Sequence, residues 1–310
     1  MVTLGDIIRA GRRLAPRLPP TPLVAAPELG DKIWLKLENA NKTHSFKIRG
    51  ALNAVLSLSP EERSRGIIAA SSGNHAGAVA YAAQLTGAAA QILMPKTTPM
   101  KKVDNVRRYG AEAVLFGDNY DLAEAEALRR AREGGTWISP YNDAKVIAGA
   151  GTIGVEILRQ LPDVGRVLVP VSGGGLIAGV AAAVKELDPG IEVIGVNARS
   201  APAMYNFFHR ANLPQVWDTL ADALSGEIED GSITLPLCRR YLDDMILVSE
   251  ERIAAAMRFM QETRGCAVEG GGAAAVAALM RDVLPRDGKA TALVVSGGNV
   301  DLSVLRRVLS

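Results

Sequence analysis

The chain predicts an α/β protein of two domains, each a parallel-type twisted sheet flanked by helices. Three observations carry that reading. Aliphatic, strand-length runs alternate with helix-length segments along most of the 310 residues. Hydrophobic residues reach 48% while aromatic ones make up only 5%, so the core is aliphatic and alanine-rich. The 31 glycines fall in clusters at the ends of strand-like runs. Strands alternating with helices of this length imply parallel sheets covered on both faces.

In chain order, Ile33–Leu37 reads as a strand, and Gly50 to Leu58 as a short helix stopped by Ser59-Pro60. Gly66–Ala70 is a strand, His75 to Leu85 a helix ended by Gly87, and Ala89–Met94 a strand ended by Pro95. Lys101 to Tyr109 is a helix capped by Gly110, Glu112 to Phe116 a strand, and Asp121 to Arg132 a charged helix ended by Gly134-Gly135. Ile147 to Gln160 is a helix carrying Gly149, Gly151 and Gly154. Arg166–Val171 is a buried strand, Ile177 to Leu187 a helix, and Glu192 to Val196 a strand. Residues 251–263 and 272–282 are helices, and Thr291–Val295 is the last strand before a short C-terminal helix. The run 66–141 is self-contained. It reads as a small domain inserted into a large one made of residues 1–65 and 142–310.

Composition narrows the function. Lys+Arg (35) and Asp+Glu (33) nearly cancel, so no nucleic acid or other polyanion is expected as a partner. No stretch of apolar residues is long enough to span a membrane. Met1–Asp6 has an early acid and no apolar run, unlike a signal peptide. Cys238 and Cys266 have no metal-ligand spacing and read as free thiols, with a cytoplasmic location as the default.

The chemistry-bearing residues cluster. Lys47 follows Phe46 and precedes Ile48-Arg49-Gly50. A lysine amine is the side chain that forms a Schiff base, and desolvation or nearby cations make it nucleophilic. On spacing alone the ordinary reading is a solvated surface charge, as most lysines are. Ser172-Gly173-Gly174-Gly175-Leu176 links a strand to a helix. Such a turn presents backbone N–H groups to a phosphate, and an ordinary tight turn is the alternative. It is neither Gly-x-Gly-x-x-Gly nor a Walker loop, which weakens dinucleotide or nucleotide binding. Ser71-Ser72-Gly73-Asn74-His75 also joins strand to helix and suits a carboxylate, with a plain N-cap as the alternative. Ser296-Gly297-Gly298-Asn299 follows the last strand. These three clusters all sit at carboxyl ends of predicted strands, where ligands bind in open α/β folds.

Together these residues resemble the fold-type II pyridoxal-phosphate enzymes (tryptophan synthase β-like), in the serine/threonine dehydratase and serine racemase branch. The resemblance covers nearly the whole chain. It rests on Lys36-Leu37-Glu38-Asn39, Thr43 with Ser45–Ala51, Ser71–His75, Val146–Gly149 with Gly151-Thr152, Gly173–Leu176, Val268-Glu269 and Ser296–Asn299. It implies pyridoxal 5'-phosphate as cofactor, held by the large domain, with the small domain on the substrate side. Lys47 would carry the cofactor and then take the substrate α-proton. Phe46 would pack near the ring, Asn74 would bond the ring hydroxyl, and Ser296 the pyridine nitrogen. Ser172, Gly173, Gly174, Gly175 and Leu176 would hold the phosphate, with Glu269 also in the cofactor site. Ser71, Ser72, Gly73, Asn74 and His75 would bind the substrate carboxylate. Ser72 is also the position of the opposite-face base in the racemase, so it counts as catalytic in that alternative.

The implied activity is an ammonia-lyase (dehydratase) acting on L-threonine, L-serine or a related β-hydroxy amino acid; the alternative is an amino-acid racemase. A homodimer is the family expectation. A nucleotide-binding regulator and a β-replacement synthase are weaker competitors. The chain departs from the family pattern at His44 (usually Gly), Ser172 (Gly), Ala150 (Gln), Tyr141 (Phe or Asn), Ala223 in Ala221-Asp222-Ala223 (Gly), and Gly270-Gly271 after Glu269. The family's metal-binding positions fall on Asn197, Ala201 and Ala203, so no family-type metal is expected. The chain stops soon after its last strand, and no allosteric amino-acid-binding domain is expected.

Overall fold

A computed structural model of the chain describes residues 1–280, 284 and 287–310. Its strands are β1 (Leu23–Ala25), β2 (Ile33–Leu37), β3 (Ile67–Ala70), β4 (Ala90–Met94), β5 (Glu112–Leu115), β6 (Thr136–Trp137), β7 (Arg166–Pro170), β8 (Glu192–Ala198), β9 (Asp244–Val248) and β10 (Thr291–Val295). They form a six-stranded sheet in the order β1-β2-β10-β7-β8-β9 and a four-stranded sheet in the order β5-β4-β3-β6. β1 pairs antiparallel to β2, and the other described pairings are parallel. The α/β class with parallel sheets is therefore observed, and all four strands of the smaller sheet come from residues 67–137.

The helices are α1 (Leu4–Leu14), α2 (Lys47–Leu56), α3 (Pro60–Ser64), α4 (Asn74–Thr86), α5 (Met100–Arg108), α6 (Tyr120–Arg132) and α7 (Ala144–Gln160). They continue with α8 (Gly175–Leu187), α9 (Ala203–His209), α10 (Thr234–Tyr241), α11 (Glu250–Arg264), α12 (Gly270–Ala277) and α13 (Leu302–Leu309). Side-chain caps start several of them. Thr3 and Ser59 each make a reciprocal capping box, with Asp6 and Glu62, and Asp143 accepts from the N–H groups of Lys145 and Val146. Gly87 ends α4 in the left-handed region, where glycine carries no Cβ penalty.

Both faces of each sheet are buried. One cluster joins α1, α7, α8 and α10 to the large sheet, and a second joins α11, α12 and α13 to its other face. A third packs α2 and α4 on the small sheet, and α6 covers the opposite face. Ile48, Leu52 and Val55 of α2 belong to that third cluster, so the helix that begins with Lys47 packs toward the small sheet. On its other side α2 meets α7 closely. A Cβ at Gly50 would lie 2.7 Å from Val146 Cγ1, and one at Gly149 would lie 2.5 Å from the Arg49 carbonyl oxygen. These two glycines let the helices approach backbone to backbone and bring the start of α2 against the large sheet.

The structure adds elements that the pattern of the chain does not announce. α1, α9, α10, β9 and the two-residue β6 are among them. The helix expected over 272–282 runs over Gly270–Ala277, and residues 281–282 of that expectation lie outside the described residues. It opens with three glycines despite their low helix propensity. Tertiary packing overrides propensity here: side chains at Gly270 and Gly272 would overlap the Leu220 and Gly297 carbonyls.

Candidate functional site

Lys47 is the first residue of α2 and sits at the meeting point of the two sheets. The segment leading to it is stitched to the loop after β10. Phe46 N donates to the Ser296 carbonyl at 2.9 Å, Gly298 N donates to the His44 carbonyl at 2.9 Å, and Ser45 bridges Gly297. Lys47 Nζ donates to the Pro140 carbonyl at 2.8 Å and lies 5.2 Å from the centre of the Phe46 ring. Burial lowers the Lys47 ammonium to about 8, against the attraction of Glu269, which favours the charged form.

Lys36 shows why Lys47 is the nucleophile candidate. Lys36 is fully buried, but its amine is saturated by the Thr21 carbonyl, Glu156 and Gln160 at 2.6–2.8 Å. Among the described residues the hydrogen bond that holds the Lys47 amine is to the Pro140 carbonyl, which an arriving aldehyde can replace.

The second cluster opens α4. Ser71 Oγ accepts from Gly73 N at 3.1 Å, and Ser72 is half-buried in the same turn. Neither hydroxyl hydrogen-bonds Lys47 among the described residues. Gly73 stands at the N-cap with no side-chain cap, which leaves the first N–H groups of α4 available to an anion. Asn74 Nδ2 donates to Glu269 Oε1 at 2.6 Å, and Asn299 Nδ2 donates to Asn74 Oδ1 at 2.6 Å. Glu269 is 7% exposed, and burial pushes its carboxyl up to about 7 while the Asn74 bond opposes the shift. His75 is buried and donates Nε2–H to the Ile138 carbonyl at 2.9 Å. A carbonyl only accepts, so the ring is the Nε2–H tautomer, with a buried Nδ1 that has no partner among the described residues. Burial first, then the Lys47 charge, lowers His75 to about 3, so it is neutral.

The glycine loop lies at the end of β7. Gly174 adopts φ +89° and caps α8 with no side-chain cap. Thr234 Oγ1 donates to the Gly173 carbonyl at 2.7 Å, and a Cβ at Gly173 would sit 2.7 Å from the Tyr141 ring. Tyr141 follows Pro140, whose carbonyl holds Lys47, so the loop and the lysine share one neighbouring segment. Ser296 is 5% exposed at the end of β10. The structure thus brings together Lys47, Phe46 and Ser296 on one side, and Asn74 and Glu269 on another. Ser172–Leu176 comes in through Tyr141.

These residues fit an aldehyde that carries a phosphate. They offer an amine with a lowered pKa, an uncapped helix start with a left-handed glycine, and buried polar atoms facing inward. The sequence reading missed Pro140, Thr234 and the linking role of Asn299. Only Asn299 carried a signal, because it lies in the cluster after the last strand. At the position of the family's metal-binding acid, Asn197 is fully buried and doubly engaged. It donates to the Val171 carbonyl at 2.8 Å and accepts from Tyr205 N at 2.9 Å.

Comparison with known proteins gives the family and the fold. The family model described as "pyridoxal-phosphate dependent enzyme" matches residues 14–297. The chain is 44% identical to an L-threonine ammonia-lyase of Thermotoga maritima, over all of this chain and 79% of that protein. It is 40% identical to the L-threonine dehydratase catabolic TdcB of Escherichia coli K12, over 99% of this chain and 96% of that one. Among solved structures, maize serine racemase superposes with a TM-score of 0.91 at 34% identity, covering 99% of this chain and 96% of that one. Threonine deaminase isoform 2 of Solanum lycopersicum superposes at 0.90 with 36% identity, covering 98% and 91%. The chain belongs to the pyridoxal-phosphate-dependent enzymes. Its cofactor is pyridoxal 5'-phosphate, and its fold is the α/β architecture of these neighbours.

Proposed function

We propose that the chain is a pyridoxal-phosphate-dependent carbon–oxygen lyase, an ammonia-lyase that converts L-threonine, L-serine or a related β-hydroxy amino acid to a 2-oxo acid and ammonia. The observation that carries this reading is the Lys47 amine, lowered to about 8 and held by the replaceable Pro140 carbonyl, together with two helix starts that have no side-chain cap. Full-length relatives named threonine ammonia-lyases or dehydratases support it.

Pyridoxal phosphate, when bound through Lys47, supplies an electron sink for the negative charge that develops at the substrate α-carbon. Lys47 takes the α-proton as general base, and an amine poised near 8 is suited to that task around neutral to mildly basic pH. Ser71, Ser72, Gly73 and the start of α4, through Asn74 and His75, hold the substrate carboxylate. Ser172, Gly173, Gly174, Gly175 and Leu176 hold the cofactor phosphate at the start of α8. Asn74 would donate to the ring hydroxyl, with Glu269 behind it, and Phe46 would pack near the ring. Ser296, 5% exposed at the end of β10, would meet the ring nitrogen with a neutral hydroxyl, which would supply a weaker electron sink than an acid. The released aminoacrylate hydrolyses to the 2-oxo acid and ammonia.

The same reading assigns residues 1–65 and 142–310 to a large cofactor-binding domain and 66–141 to a small substrate-side domain. The confinement of the four-stranded sheet to 67–137 supports that division. The reading also expects a homodimer, on family resemblance, and a cytoplasmic location, as the default for free thiols. No described helix is long and apolar enough to cross a membrane. A racemase is the second reading, favoured by Ser72 at the α4 turn and by the serine racemase superposition.

One experiment tests both. Holoenzyme is incubated with a panel of β-hydroxy amino acids, and 2-oxo acid, ammonia and enantiomer content are measured together. Release of 2-oxo acid and ammonia, lost in Lys47→Ala, supports the lyase. Enantiomer exchange that Ser72→Ala suppresses while elimination continues supports the racemase. Activity or a cofactor absorption band surviving in Lys47→Ala sinks the assignment of the lysine.

A further inference from the structure

We propose that Asn299 is a positioning residue that sets which way round the Asn74 amide points, and so which of its atoms faces the cofactor. The inference rests on the reading of Asn74 as the partner of the ring hydroxyl and goes a step beyond it. Asn299 follows β10, Asn74 opens α4 beside the small sheet, and Glu269 precedes α12, so three separate elements meet at one amide.

The orientation follows from a chain of donors and acceptors that begins at the backbone. The Thr43 carbonyl can only accept, so the Asn299 atom 2.9 Å from it is the amide nitrogen. That same nitrogen lies 2.6 Å from the Asn74 side chain, which must therefore meet it with Oδ1. The other end of the Asn74 amide is then Nδ2, 2.6 Å from Glu269 Oε1. An amide is nearly symmetric in shape, so packing does not distinguish its two ends; hydrogen bonding does. With Asn299 in place, Asn74 offers a donor toward Glu269 and toward a ring oxygen. With the amide reversed and Glu269 ionised, Oδ1 would face two acceptors, and the buried mismatch would disfavour binding. Thr43, just ahead of Lys47, thereby reaches through Asn299 to the cofactor side of Asn74.

The test uses apoprotein of the wild type, Asn299→Ala and Asn299→Asp, each titrated with pyridoxal phosphate and followed by visible absorption and protein fluorescence. Thermal melts of the same apoproteins check that each variant is folded. Asn299→Ala removes the donor on Asn74 Oδ1 and leaves the amide to its bond with Glu269, so affinity is expected to fall about three- to tenfold, the scale of one neutral hydrogen bond. Asn299→Asp offers only acceptors, draws Asn74 Nδ2 toward itself and turns Oδ1 to the cofactor, so it is expected to bind more weakly than the alanine variant. A packing role predicts the opposite order, because aspartate keeps the shape of asparagine. In an Asn74→Ala background the two position-299 variants should bind alike; a persisting difference would mean that the aspartate charge acts directly, and overturns the proposal. Equal affinity across wild type and both single variants also overturns it. If wild-type apoprotein takes up no cofactor at Lys47, it is the reading of the site that fails, and that outcome is distinct from the others.

Discussion

Arg49 clasps Glu38 with two parallel bonds, Nε to Oε2 at 2.7 Å and Nη2 to Oε1 at 2.8 Å, on the helix that begins with Lys47. The arginine side chain is 2% exposed and the glutamate is fully buried. Glu156 of α7 accepts from Arg49 Nη1 at 2.6 Å and from Lys36 of β2 at 2.6 Å. Two cations therefore meet two anions, and Thr21 and Asn41 satisfy the remaining lone pairs of Glu38. The carboxylates hold the Arg49 guanidinium charged against the cost of burial. Buried networks of this kind are costly when incomplete. Here the network ties the end of β2, the first turn of α2 and α7 into one unit that sets where Lys47 starts.

Removing the fork should uncouple that unit. Arg49→Met leaves the buried Glu38 and the half-buried Glu156 with Lys36 as the remaining cation of the network, and is expected to destabilise the apoprotein by about 3–5 kcal/mol in urea unfolding. Arg49→Lys keeps the charge but not the parallel bonds, so it should lie between Met and wild type. Both should hold cofactor more weakly than wild type at temperatures where they are still folded. Wild-type stability in Arg49→Met would mean that helix packing alone places α2.

Glu269 makes the stability pH-dependent. Its carboxyl lies at about 7 in the folded chain, above the ordinary 4.5, because burial disfavours the charged form. A raised folded value means that the folded state binds the extra proton. Its contribution is then fully present below about 4.5 and is lost as pH rises to about 7. The loss is on the order of 3 kcal/mol. Glu269→Gln keeps an oxygen for Asn74 Nδ2 and has nothing to ionise. The stability of the variant relative to wild-type apoprotein is therefore expected to grow by about 3 kcal/mol between pH 4.5 and 7.5. Denaturation curves at four or five pH values measure it, and a constant difference would show that Glu269 ionises as readily as a surface carboxylate.

The parts of this molecule that were legible in its sequence are those decided locally. Ile33–Leu37 and Thr291–Val295 are strands with the bounds their aliphatic runs suggest. Ser172–Leu176, Ser71–His75 and Ser296–Asn299 lie at strand ends because glycine and hydroxyl residues cannot continue an aliphatic strand. What stayed hidden depends on distant partners. β6 has two residues and exists through pairing with β3. α12 begins on glycines because Leu220 and Gly297 press on it. No spacing distinguishes Lys36 from Lys47; only the partners Thr21, Glu156 and Gln160 do so. Thr234 reaches the Gly173 carbonyl from a helix far along the chain, and no motif announces it.

The Lys47 amine sets a second pH window. Its value of about 8, against 10.5 for an ordinary lysine, comes from burial, and Glu269 works the other way. Only the neutral amine attacks an aldehyde. The rate of pyridoxal phosphate capture by apoprotein is therefore expected to rise about tenfold per pH unit below 8 and to level off above it. A surface lysine would keep gaining up to about 10. In Glu269→Gln the opposing charge is absent, so the plateau should begin at lower pH. Stopped-flow absorbance across pH 6–10 reads both curves, and a rate still climbing above pH 9 would place Lys47 in water.

His44 occupies a backbone position that suits glycine. Its φ is +56°, in the left-handed region. The conformation is imposed from both sides: His44 N donates to the Asn41 carbonyl at 2.8 Å, and its own carbonyl accepts from Gly298 N at 2.9 Å. A left-handed residue with a Cβ costs about 1–2 kcal/mol. Glycine removes that strain but loses about 0.5–1 kcal/mol more to chain entropy on folding. His44→Gly is thus expected to stabilise the apoprotein by up to about 1 kcal/mol. His44→Val should destabilise it by more than that, because a β-branched side chain tolerates this region least. Urea midpoints give the order Gly, His, Val. Cofactor affinity should follow the same order, because Ser45 and Phe46 carry the strain directly to Lys47. If His44→Val were as stable as wild type, the stitch to Gly298 would have to yield, and the Phe46 N to Ser296 carbonyl bond beside it would be expected to loosen as well.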